Sequence, residues 1–95
     1  MAIKSRNALT DEDLIARYIV PHPTKMGVDQ AVLAVYGVSV WALVGYLRGT
    51  DATVERVAAE YDLPIEAVEA AMVYYRRHRS LIDSRIAVND AAFAE

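Results

Sequence analysis

Cysteine is missing from this chain, so disulfide staples and thiolate metal sites are excluded. An apolar signal core is missing from the N-terminus, Met1-Ala-Ile-Lys-Ser-Arg-Asn-Ala-Leu-Thr10, which argues against secretion and sets the expectation of a cytoplasmic protein. The sequence holds no nucleophile beside a general base, no glycine-rich phosphate loop and no His/acid cluster, so no enzymatic activity is expected. His22 and His78 stand apart from each other and from paired carboxylates, and neither a metal nor a cofactor is expected. One uncharged run, Gln30–Leu47, reaches the length of a membrane-span candidate. Gly37, Ser39 and Gly45 interrupt it and Tyr36 and Tyr46 add polarity, so no membrane role is expected. An excess of positive charge is missing too: the net charge is −3, which argues against a surface coated in cations.

What is present is a polarised distribution of charge over 95 residues, a length near the lower end of what folds alone. Residues 51–69 carry Asp51, Glu55, Glu60, Asp62, Glu66 and Glu69 against Arg56. Residues 76–85 carry Arg76, Arg77, Arg79 and Arg85 against Asp83. An acidic total therefore leaves room for a local basic footprint. Between these blocks, Val54–Tyr75 holds two helical patterns that meet at Asp62-Leu63-Pro64. An apolar stripe, a short break and a second stripe ending in cations is the outline of a helix-turn-helix.

Residues 1–9 read as a flexible arm bearing Lys4 and Arg6. Thr10 is a plausible N-cap for a helix of one or two turns, with Asp11, Glu12 and Asp13 favouring its positive end. Ile15–Val20 is β-branched and aromatic enough to predict a strand, stopped by Pro21-His22-Pro23. Ala31–Tyr36 is the second predicted strand, ended by Gly37, and residues 21–30 would close the pair as a hairpin. Edges this apolar invite pairing between chains as well as within one. Ser39 is the expected N-cap of a helix through Arg48 that ends at Gly49, burying Val40, Leu43, Val44 and Leu47. Asp51 or Thr53 caps the next helix, which is expected to bury Val54, Val57, Ala58 and Tyr61. Pro64 fits the first turn of the helix after it, where its missing N–H has no partner to lose.

Ile65, Val68, Met72, Tyr75, Arg79, Ile82 and Ile86 recur at spacings of three and four, a heptad seam broken only at Arg79. This predicts one continuous helix to about Ile86, with Leu81, Ile82 and Ile86 projecting past the core as a partner surface. The fold expected is mainly α: a short N-terminal β-hairpin region over 10–37, a three-helix, homeodomain-like helix-turn-helix core over 38–79, and a C-terminal helical extension and tail over 80–95.

Val40-Trp41, Gly45-Tyr46-Leu47, Val57-Ala-Ala-Glu-Tyr61, Ile65-Glu66-Ala67-Val68, Ala70-Ala71 and Tyr74-Tyr75 carry a likeness over roughly residues 17–78. The chain resembles domain-of-unknown-function family 433, whose members look like VapB-type antitoxins with a helix-turn-helix. The resemblance implies a bacterial antitoxin that neutralises a PIN-like ribonuclease toxin and binds operator DNA of its own operon. Two departures matter. The family form has Gly-Thr-Arg where this chain has Val35-Tyr36-Gly37, which removes a candidate phosphate contact, and Pro64 replaces the usual threonine cap.

The N-terminal part of the second motif helix, which meets base edges in such readers, offers Ile65, Glu66 and Glu69, poor equipment beside phosphates. The DNA-binding candidates are Arg76, Arg77 and Arg79, helped by Arg48 and Arg56. The same arginines are equally suited to an acidic nuclease groove, or to stabilising a helix end. Trp41 and Tyr46 read as packing rather than base-stacking residues. Tyr75 lies on the seam, whereas Tyr74 points about 100° away and is the candidate interface anchor. The partner-binding candidates are thus Tyr74, Leu81, Ile82 and Ile86. The functional expectation is a homodimeric, antitoxin-like DNA-binding regulator; the alternative is a dimeric protein-interaction module that keeps the helix-turn-helix shape without DNA affinity.

Overall fold

The computed structural model describes residues 9–93, so the N-terminal arm with Lys4 and Arg6 lies outside the described residues. The fold is mainly helical. It runs α1 (Asp11–Tyr18), β1 (Ile19–Val20), a single 3-10 turn (Val28–Gln30), β2 (Val32–Leu33), α2 (Val40–Thr50), α3 (Val54–Tyr61), α4 (Ile65–Arg77) and α5 (Arg79–Phe93).

Thr10 caps α1 as expected: its Oγ1 accepts from the Asp13 N–H at 3.0 Å, and the Asp13 carboxylate accepts from the Thr10 N–H at 3.3 Å. This reciprocal box overrides strand propensity at Ile15–Tyr18, which are helical rather than extended. The strands are accordingly shorter than the sequence predicts. β1 and β2 pair antiparallel within the chain, Ile19 opposite Leu33 and Val20 opposite Val32. On the other side of β2 an isolated bridge joins Val32 to Ser39, and Leu33 N–H donates to the Val38 carbonyl at 2.8 Å. β2 is therefore central and β1 is the edge. The register turns Ile19 and Pro21 outward. The Ile19 N–H is already given to the Ile15 carbonyl and Pro21 has none, so β1 offers no donor to a further strand.

α2 buries Val40, Leu43 and Val44, with Leu47 half-buried. It passes Gly49, the predicted terminus, and ends at Asp51 in the left-handed region with φ 60°. The Thr50 hydroxyl, donating to the Tyr46 carbonyl at 2.7 Å, secures that extra turn. Thr53 is then the cap of α3, its Oγ1 accepting from the Arg56 N–H at 3.1 Å. Thr53→Ala is expected to cost about 1 kcal/mol, and Thr53→Ser to cost almost nothing, in urea denaturation. Val57 and Ala58 are buried, but Tyr61 is exposed and packs edge-on against Tyr46 at 5.6 Å, contrary to its expected burial.

The break between α3 and α4 is a Schellman close. Asp62 takes φ 57°, its N–H donates to the Ala59 carbonyl at 3.3 Å, and the Leu63 N–H donates to the Ala58 carbonyl at 2.8 Å. Leu63 and Ala58 both enter the core, which holds the two helices together across the turn. Pro64 stands at the N-cap of α4, the position where it replaces the threonine of the family form.

The predicted continuous helix to Ile86 is corrected. α4 ends at Arg77, and His78 (φ −129°, ψ 38°) redirects the chain into α5. Ile82 and Ile86 do not project; they are 0% and 6% exposed and lie in the same core as Leu33, Leu43, Val44, Val57 and Val68. Ile86 packs beside Gly45 of α2, where a Cβ would stand 4.0 Å from its side chain, an ordinary contact distance. Polar contacts hold α5 in place. Tyr75 donates to Asp83 at 2.7 Å, Arg48 pairs with Asp83 at 2.8 Å, and Arg85 pairs with Asp29 at 3.0 Å.

Candidate functional site

α4 is the helix on which any DNA reading depends, and neighbours cover most of it. Ala67, Val68, Ala71 and Tyr75 face the main core with α2 and α3. Ala70 and Val73 form a separate small cluster with Leu14 of α1. Contacts at both ends bind α1 to this flank: Tyr18 donates to the Glu66 carboxylate at 3.0 Å, and Arg77 pairs with Glu12 at 2.9 Å. The Glu12 carboxyl is held below its ordinary range, first by the helix N–H beside it and then by Arg77. Apart from Arg77, engaged by Glu12, what stays exposed on α4 is Ile65, Glu69 and Arg76, with Met72 half-buried between them. That stripe carries one cation, one carboxylate and an apolar tip.

The five DNA-binding candidates are only partly brought together. Arg76, Arg77 and Arg79 gather at the α4–α5 elbow, but Arg77 is engaged by Glu12. Arg79 lies over the Tyr75 ring at 5.1 Å. Arg48 and Arg56 are held by Asp83 and by Glu60, the latter at 3.0 Å. Glu60 also accepts a hydrogen bond from Tyr46, and those two donors, Tyr46 first, hold its carboxyl below the usual range. Exposed pairs of this kind add little stability. They do lower the local positive field, because an arginine must leave its carboxylate to meet a phosphate.

The partner-binding candidates divide. Ile82 and Ile86 are core residues and are withdrawn as contacts. Tyr74 is occupied inside the chain: its hydroxyl donates to the Val28 carbonyl at 2.9 Å and its ring rests against His78 at 4.5 Å. Burial, then the nearby Asp29 charge, pushes its phenol up. Leu81 alone keeps an exposed apolar side chain, at 50%. Trp41 and Tyr46 pack against the core, as expected.

The apolar hairpin, whose strand edges the sequence marks for pairing between chains, exposes Val20, Met26, Val28, Val35 and Tyr36 on one face. Two adjoining grooves of about 410 and 330 Å³ lie there, and Val20-Pro21 forms the wall between them. No carboxylate, lysine or arginine lines either groove. A second signal is the replacement of Gly-Thr-Arg by Val35-Tyr36-Gly37.

Compared with protein-family models, curated proteins and solved structures, the chain matches none. Among the described residues no helix is long and apolar enough to cross a membrane, and no acid or histidine cluster is arranged to hold a metal ion.

Proposed function

We propose that this chain is a protein-interaction module whose α3–α4 pair has the outline of a helix-turn-helix but serves as scaffold, with the hairpin face as its contact surface. The observation that carries this reading is α1, seated through Leu14 on a flank of α4 and tied down at Glu66 and Arg77. A reading helix must enter the major groove, and one flanked by a neighbouring helix, with Glu69 offsetting Arg76 on its remaining face, has no net positive charge to offer phosphates. Within the antitoxin-like role that the sequence resemblance suggests, this drops the operator contact.

The second reading, an operator-binding antitoxin regulator, has one observation in its favour. Arg76 and Arg79 form no ion pair among the described residues and sit at one elbow beside His78. Fluorescence anisotropy with a labelled duplex of the upstream region separates the two. The module reading expects binding no tighter than the non-specific range, roughly 10⁻⁴ to 10⁻⁶ M, and no change on replacing Arg76 and Arg77 together with Ala. Tight binding that falls steeply between 50 and 200 mM salt and is lost in that double variant overturns it.

A further inference from the structure

Val35 is held at φ +74° with its side chain 96% exposed. A β-branched residue in the left-handed region is strained, by an amount that persists only when something returns it. The backbone of the turn is closed by the Gly37 N–H, which donates to the Leu33 carbonyl, and by the Leu33 N–H, which donates to the Val38 carbonyl, both at 2.8 Å, but the Val35 side chain touches almost none of its own fold. Glycine would hold the same turn without strain, as Gly37 does two residues on at φ 71°. The turn accounts for the backbone, and a branched apolar side chain in place of glycine is what a contact outside the monomer would use.

The surroundings of Val35 state what that contact must be like. Val35 stands on the rim of one groove, and Met26, 92% exposed, adjoins Gly27 on the rim of the other. Each groove thus has a projecting apolar knob beside it, and Val20-Pro21 separates the two. The grooves offer no cation for a phosphate or an acidic peptide, and β1 offers no N–H for an added strand. Charge then points to the occupant. Residues 19–50 carry one carboxylate, Asp29, already paired with Arg85, whereas α1, α3, α4 and α5 all bear acids. Two copies of a chain of net charge −3 meet with least repulsion across this face.

Building on the reading of the chain as a protein-binding module, we propose that the hairpin face is a two-fold homodimer interface, in which Val35 and Met26 of each copy enter the grooves beside Val20-Pro21 of the other. A two-fold contact requires knob and hollow on one surface, which this face provides. It also requires side-chain packing rather than strand addition, as the blocked β1 edge dictates.

The test is sedimentation equilibrium over a wide concentration range, paired with thermal unfolding at dilutions where the chain is monomeric. The wild-type chain is expected to pass from monomer to dimer. Val35→Gly should weaken association roughly a hundredfold to ten-thousandfold, the loss of one buried branched side chain from each copy, and yet raise the melting temperature of the monomer. The opposite signs are the signature, since a purely structural valine would not give them. Met26→Asp, at a position with almost no contact to its own fold, should also abolish the dimer while leaving circular dichroism unchanged. A chain monomeric at every concentration, a dimer indifferent to both variants, or a Val35→Gly monomer that melts earlier would each overturn the proposal. The duplex assay above is independent of association, so the module reading stands or falls separately.

Discussion

Ending the chain at His78 is expected to abolish cooperative folding, and not merely to remove an oligomerisation surface. α5 contributes Ile82 and Ile86 to the main core, both almost fully buried. Each buried isoleucine is worth about 2–5 kcal/mol by truncation to alanine. Together they approach the whole stability of a domain this small, about 5–15 kcal/mol. The deletion also strips Tyr75 of its partner Asp83, and Arg48 and Asp29 of theirs. The Tyr75 phenol, raised by burial and then by its bond to Asp83, would be left half-enclosed with no acceptor. Point variants give the sharper measurement. Ile82→Ala should lower unfolding free energy in urea by about 2–5 kcal/mol, while Leu81→Ala beside it should change it by less than about 0.5 kcal/mol. Equal effects at the two positions would mean that α5 is not seated on α2 as described.

That contrast also marks where the sequence was legible. Of the apolar seam residues Ile65, Val68, Met72, Tyr75, Ile82 and Ile86, the structure buries Val68, Tyr75, Ile82 and Ile86, half-buries Met72 and leaves Ile65 exposed at the start of α4. Periodicity reports which face is hidden; it does not report what hides it. A helix that turns back on its own domain and one that projects toward a partner share one pattern, and nothing in Arg76-Arg77-His78-Arg79 is a glycine or proline to announce the break. The only hint was Arg79, the single polar residue on the seam, which is the first residue of α5. Local chemistry was more readable: Thr10 and Thr53 cap as their side chains suggest, and Asp62-Leu63-Pro64 divides α3 from α4. Strand length was not readable at Ile15–Tyr18, because the capping box and the contact of Leu14 with Ala70 and Val73 outweigh β propensity there. Among the site candidates, the cations were visible but their engagement was not. Glu12 lies 65 positions from Arg77, and Asp83 lies 35 from Arg48. Long-range neutralisation of this kind has no sequence signature.

Leu14→Asp is expected to release α1 from α4 without unfolding the rest. Leu14, Ala70 and Val73 form a cluster apart from the main core, joined to it through Tyr18 and Ile19. A carboxylate placed there cannot stay buried and unpaired, so the helix lifts rather than accommodating it. Even the gentler Leu14→Ala should cost about 2–5 kcal/mol of local opening free energy. Hydrogen exchange reads this directly. Amides of α1 should lose protection in Leu14→Asp, while those of α2, α3 and α5 should keep theirs. Loss of protection throughout would show α1 to be part of one indivisible core. The same variant bears on function, because it uncovers the flank that a DNA reader needs free. If α1 were a cover over a reading helix, its release would switch on salt-sensitive duplex binding. Here the uncovered flank adds Glu66 to the already exposed Glu69 and frees Arg77 from Glu12 beside Arg76, so two carboxylates offset two cations and no net positive field is gained. No gain in duplex affinity is therefore expected, and a clear gain would recast α1 as a removable guard on an operator-binding protein.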